Sequence, residues 1–234
     1  MTQPATIVEI REVAVALAGM REHLVFTGGA IVTLLITDPG AGSIRTTTDV
    51  DVYLHHSTMR RHQAAEAELR AHGFEQPPGG PICRWHRGAL SVDLMADDAN
   101  VLGFTNRWYR TAADHTVLVD LAGVMIRMIG APWFIATKLE AFDAPDRENG
   151  GDLQASHDLE DIVAVFDGRA TLGDEIDRSP GELRGYLQAR LGMLIADRDF
   201  YAALVGHVGG DGGRARIVLG RITAAVRLQS LTIP

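Results

Sequence analysis

Two aspartates set two apart in an apolar run, Asp49-Val50-Asp51-Val52-Tyr53-Leu54, are the residues of this chain best suited to chemistry. Alternating polarity with Val, Tyr and Leu predicts a β-strand. Residues i and i+2 of a strand share a face, so Asp49 and Asp51 project together while Val50 and Val52 turn toward a core. Two carboxylates held this close repel unless a cation lies between them. Mg²⁺ (or Mn²⁺) is the natural cation, because it accepts a few carboxylate oxygens together with phosphate oxygens. A third acid, Asp93, sits between Val92 and Leu94 in a second predicted strand. Placed beside the first strand it completes three convergent carboxylates. Two ions about 3.5–4 Å apart could then clamp the attacking and leaving oxygens of an in-line displacement. The expected chemistry is metal-dependent phosphoryl or nucleotidyl transfer.

The elements that must position these acids are readable in outline. Ile7, Ile10, Val13, Ala14, Leu17 and Ala18 form a helical stripe over 7–21. Leu24-Val25-Phe26 predicts a short strand, and Gly28-Gly29 turns the chain into a helix over 30–36. Backbone N–H groups at such a turn, with no Cβ in the way, suit a phosphate. Asp38–Ser43 is turn chemistry. A helix over 57–72 with Ser57 as N-cap follows the acidic strand. Residues 82–86 and 90–95 predict a hairpin, as do 117–119 and 124–128. Pro132 suits the first turn of a helix over 133–142, 143–154 reads as a polar loop, and Ser156 should cap a helix through Phe166. From Leu172 to Pro234 the pattern is helical, broken at 208–213 by a Gly-rich connector. The expected fold class is α+β (mixed α/β), a small mixed sheet flanked by helices. The domain reading is 1–130 as a core and 131–234 as a helical region.

Bulk properties narrow the function classes. The 234 residues are long enough for a sizeable core. No run approaches the roughly 18 apolar residues of a membrane span. The first residues lack the basic and apolar regions of a secretory signal, and the single cysteine, Cys83, cannot pair within the chain. Both features predict a cytoplasmic protein without membrane partners. A formal charge of −8 runs against a general nucleic-acid binder. Local basic patches remain open, because arginines cluster with aromatics at Arg84-Trp85-His86-Arg87 and Arg107-Trp108-Tyr109-Arg110. Such clusters can stack bases and neutralise phosphates, as a tRNA end would require. His55-His56 suit zinc better than Mg²⁺ and read as a loop pair.

Taken in order, an apolar strand, Gly28-Gly29, a helix, Thr47-Thr48-Asp49-Val50-Asp51-Val52 and a later Val92-Asp93-Leu94 resemble the nucleotidyltransferase superfamily, the DNA polymerase β-like fold. The resemblance covers about 24–168 and implies Asp49, Asp51 and Asp93 as catalytic metal ligands, with Gly28 and Gly29 at the nucleotide. Further on, Lys138-Leu139-Glu140-Ala141, then Arg147, then Asp158-Leu159-Glu160-Asp161 look like the pattern of the AbiEii-like toxin nucleotidyltransferases. There the lysine implies a contact to the nucleoside triphosphate (NTP), and the helix carrying the two aspartates braces the site. Asp158 and Asp161 lie i, i+3 on one helix face, within reach of Lys138 or Arg147. The segment before Asp49 departs from the better-known toxins. It holds the Asp38–Ser43 loop, and Arg45 with Thr46–Thr48 fill the approach to the aspartates.

The resemblance implies NTP as co-substrate, an acceptor hydroxyl such as an RNA or tRNA 3′ end, and, for a toxin, an antitoxin partner. Two other readings fit the same residues. One is a transferase acting on a protein or small-molecule hydroxyl; the other is a catalytically silent nucleotide-binding or partner-binding protein.

Overall fold

The computed structural model describes residues 7–145, 147 and 149–227. Readings that fall on the first six residues, on Asp146 and Glu148 of the polar loop, or on the helical pattern beyond Arg227 lie outside them. The chain forms two compact units. One comprises the residues up to Ile31 together with Thr46–Gly130; the other comprises Val32–Arg45 and the residues from Ala131 onward. The chain therefore leaves the first unit after Ile31, returns at Thr46, and leaves again after Gly130. Residues 32–45, grouped with the core by sequence, belong to the second unit.

The first unit begins with α1, Ile7–Ala16, which buries Ile10, Val13 and Ala14, and a 3-10 turn over Ala18–Met20 takes the place of its expected last turn. β1 is Leu24–Thr27 and ends at Gly28, after which Gly29–Ile31 form a 3-10 turn. β2 is Asp49–Leu54. α3, Met59–Ala71, is capped by Thr58, whose side chain accepts from Arg61 N at 3.2 Å. Ser57, the expected cap, instead donates to Leu54 O and accepts from Asp97 N. β3 is Arg84–Arg87 and β4 is Leu90–Ala96. Two helical turns not foreseen from sequence follow, α4 at Ala99–Leu102 and α5 at Tyr109–Ala112. β5, Thr116–Leu121, and β6, Val124–Ile129, complete the unit.

The six strands make one mixed sheet in the order β3-β4-β2-β1-β6-β5. β2 lies antiparallel to β1 and parallel to β4, while β1 lies parallel to β6. Val50 and Val52 are fully buried and Asp49 and Asp51 only partly so. That alternation fixes β2 in register, because a slip of one residue would put two carboxylates into the core and two valines toward water. Each valine favours the observed register by about 1.5–3 kcal/mol.

In the second unit a short helix, α2 (Val32–Leu35), leads into the 36–45 segment. α6 is Ala131–Phe142 and α7 is His157–Gly168, with Ser156 accepting from Leu159 N as its cap. α8 (Leu172–Asp177), α9 (Gly181–Ala196), α10 (Phe200–His207) and α11 (Gly212–Arg227) finish the described chain. α7 packs on α2, α6, α10 and α11, and buries Leu159, Ile162, Val163, Val165 and Phe166. The 36–45 segment is tied to the end of α7: Thr37 N and Asp38 N both donate to Gly168 O, and Gly42 N donates to Asp167. Among the described residues no helix is long and apolar enough to cross a membrane.

Candidate metal centre

Asp51 of β2 lies directly opposite Asp93 of β4 in the parallel ladder. Asp49 shares the Asp51 face two residues earlier, opposite Ser91. The result is three carboxylates, each offering a ligand oxygen, with those oxygens within 4.8 Å of one another. Hard oxygen donors at this spacing fit Mg²⁺ or Mn²⁺, and the set contains no sulfur or imidazole to favour a softer ion. Asp93 is nearly buried while Asp49 and Asp51 are partly exposed, so the cluster opens on one side.

Neighbours hold these carboxylates in place. Thr47 Oγ1 donates to Asp49 Oδ1 at 2.9 Å. Gly28 has φ of +72°, and a Cβ there would overlap the Asp51 carboxylate. Glycine is therefore required twice, for its backbone conformation and for the approach to Asp51. Gly29 opens the buried 3-10 turn that follows.

The residue that sequence reasoning missed is Arg84. It lies opposite Asp93 across the β3–β4 hairpin. Its Nε donates to Asp93 Oδ1 at 2.8 Å, and its Nη2 to Asp93 Oδ2 at 2.6 Å and Asp49 Oδ2 at 3.1 Å. These bonds to Asp93 lift the guanidinium pKa further above its ordinary value despite partial burial. The signal was present in the sequence: with Gly88-Ala89 as the turn, pairing Arg87 with Leu90 brings Arg84 opposite Asp93.

The aromatic neighbours of these arginines correct another expectation. Trp85, Trp108 and Tyr109 are buried, so their rings are core and not a stacking surface for bases. Arg107 covers Trp108 and Arg70 covers Trp85, while Tyr109 stacks on Tyr53 with ring centroids 4.3 Å apart. His55 and His56, read from sequence as a loop pair, occupy the turn that follows β2. His55 Nδ1 and the His56 and Ser57 amides meet the Asp97 carboxylate at 2.8–2.9 Å. Burial alone would raise the Asp97 pKa, but these bonds hold it below the ordinary carboxylate value.

In the second unit Lys138, Arg147, Asp158 and Asp161 come together as their spacing suggested. The buried Lys138 Nζ lies 2.8 Å from Asp158 Oδ1 and 2.7 Å from Asp161 Oδ2. Arg147 Nε donates to Asp158 Oδ2 at 2.9 Å. Arg45 makes a two-point pair with Asp161 at 2.7 and 2.8 Å. Arg45 thus belongs to this cluster, where the sequence reading put it on the approach to Asp49. Burial opposes the Lys138 charge, yet Asp161 and Asp158 push its pKa up to about 12. The two acids lie below the ordinary carboxylate value, since Lys138 with Arg147 or Arg45 outweighs their burial. Lys138, read from sequence as a triphosphate ligand, stands as the shared counter-ion of two carboxylates.

Among solved structures the chain is similar to the crystal structure of an antigenic nucleotidyltransferase-like protein from Paracoccidioides brasiliensis. The two share 18% identity at a TM-score of 0.52, over 86% of this chain and 94% of that one. At this identity the likeness is one of fold, and the fold is nucleotidyltransferase-like: a six-stranded mixed sheet flanked by helices. No protein-family model matches the chain, and no curated protein matches its sequence.

Proposed function

We propose that this chain is a divalent-metal-dependent nucleotidyltransferase, moving a nucleoside monophosphate (NMP) from an NTP to an acceptor hydroxyl. The observation that carries the reading is the convergence of Asp49, Asp51 and Asp93 on one face of a nucleotidyltransferase-like sheet. In this reading Asp49 and Asp51 hold the Mg²⁺ or Mn²⁺ that accompanies the triphosphate, and Asp93 completes the set. The metal, when bound, would supply charge stabilisation at the reacting phosphorus and acidify a bound hydroxyl. The acceptor oxygen forms a bond to the α-phosphorus, the bond to the β-phosphate oxygen breaks, and pyrophosphate leaves. Asp93 orients the acceptor hydroxyl and takes its proton. Gly28 and Gly29 let the backbone approach the phosphates. Lys138, Arg147, Asp158 and Asp161 brace α6 against α7.

RNA as acceptor, a toxin role and an antitoxin partner rest on the sequence resemblance, since the aromatic rings that suggested base stacking are core. The test is therefore broad in acceptor. Wild type and Asp51→Ala are incubated with each of four α-labelled NTPs, Mg²⁺, and total RNA, total protein and small-molecule hydroxyls in turn. Label carried into an acceptor by wild type and not by the variant supports the reading. Equal labelling by both, or none by wild type with any acceptor, overturns it.

A further inference from the structure

Arg84 engages the same carboxylate oxygens that a metal would use. It takes both oxygens of Asp93 and one of Asp49, and Thr47 takes the other Asp49 oxygen. Arg84, Asp93, Asp51 and Thr27 form one lateral row across β3, β4, β2 and β1. The guanidinium is thus delivered by strand register and not by a loop. Its two-point geometry on Asp93 is the strong, charge-assisted kind. A salt bridge this close to three acids serves two ends at once. It relieves their mutual repulsion, and it keeps Asp93 aimed at the position the cluster shares. It also competes with any cation for that position. Arg84 side-chain exposure is 33%, so the guanidinium has room to leave, and an anion beside the cluster would offer it a charge-assisted partner in place of the carboxylates. The chemistry that provides one next to a metal site is a polyphosphate.

We propose that Arg84 couples divalent-ion binding to nucleotide binding. Without nucleotide it stands in for the cation across Asp49 and Asp93 and lowers the affinity for metal. With nucleotide it swings off the carboxylates onto a phosphate oxygen, freeing Asp93. The inference rests on the metal-dependent reading above and adds to it an ordered, cooperative loading in which neither metal nor nucleotide alone fills the site well. Coupling of this kind is reciprocal, so metal tightens nucleotide by the same factor that nucleotide tightens metal.

The test reads binding directly, by electron paramagnetic resonance of Mn²⁺ titrated into wild type, Arg84→Met and Arg84→Lys, each with and without a non-hydrolysable NTP analogue. Mn²⁺ bound by the analogue alone is subtracted. Without nucleotide, Arg84→Met should bind Mn²⁺ about 10–100-fold more tightly than wild type, the range spanned by charged hydrogen bonds. Arg84→Lys, which keeps the charge but loses the two-point fit, should fall between them. Adding the analogue should tighten wild type by a larger factor than Arg84→Met, in which only the phosphates' own ligation of the metal remains. Equal or weaker Mn²⁺ binding by Arg84→Met, with Arg84→Lys also equal or weaker, overturns the coupling and leaves the transferase reading intact where wild type still labels an acceptor. Wild type and both variants all failing to bind Mn²⁺ overturns both.

Discussion

Asp51 and Asp93 face each other in the parallel β2–β4 ladder, one from an early strand and one from the far arm of a hairpin. That single register brings three acids together, because Asp49 follows Asp51 by strand alternation and Arg84 follows Asp93 by hairpin pairing. The acids are fixed by what lies beneath them. Val50, Val52, Val92 and Leu94 are all fully buried, and they hold the carboxylates on the opposite face.

Gly28→Ala should damage the site although the substituted residue carries no carboxylate. The new Cβ meets the Asp51 carboxylate, and the backbone at φ +72° is one that alanine adopts only with strain. The cost to stability should be about 1–3 kcal/mol, seen as a lower Tm. Mn²⁺ binding should weaken in the same preparation, because Asp51 is displaced. A variant that melts lower but binds Mn²⁺ as wild type does would separate Gly28 from the site.

Lys138→Met should be among the most destabilising single changes in the second unit. It leaves Asp158 and Asp161 buried, with Arg147 and Arg45 as their remaining cationic partners among the described residues. Removing one partner of a buried ion pair costs about 3–5 kcal/mol, measurable by urea unfolding near neutral pH.

The same cluster predicts an alkaline limit. The Lys138 pKa is raised from 10.5 to about 12 on folding. Its contribution is therefore whole below pH 10.5 and is lost as pH rises through about 12. The stability gap between wild type and Lys138→Met should narrow across that window. A gap that persists unchanged above it would mean that packing, not charge, is what the substitution removes.

His62 sets an acid-side prediction. It is buried on α3, and among the described residues neither ring nitrogen has a hydrogen-bond partner, with Glu66 Oε1 3.6 Å from Nε2. Burial lowers its pKa below 6.5, against a smaller opposing effect of Glu66. The unfolded chain thus takes up this proton first, and the stability His62 allows is whole above pH 6.5 and falls as pH drops below it. His62→Leu should flatten that part of the stability–pH curve; an unchanged acid slope would assign it to other groups.

Much of this site was legible in the sequence, for reasons visible in particular residues. The period-2 pattern at Asp49–Leu54 gave both the strand and the shared face of its acids. Asp158 and Asp161 at i, i+3 met Lys138 and Arg147 as their spacing allowed. What was not legible depended on partners far apart in the chain. Arg45 adjoins Asp49 by number but bonds Asp161. Trp85 and Trp108 looked like a recognition surface because local sequence does not report burial. Arg84 was placed in a basic cluster, although the short turn after Arg87 already set it opposite Asp93.

The most direct measurement takes Mn²⁺ binding and NMP transfer on one preparation of Asp51→Asn beside wild type, with circular dichroism to show that both are folded. The variant should keep its fold and lose both together, transfer falling by about 10²–10³-fold or more, the scale of losing a preorganised charge-stabilising group. Transfer within about tenfold of wild type in a folded Asp51→Asn that no longer binds Mn²⁺ would contradict the metal-dependent reading, by separating the activity from these carboxylates.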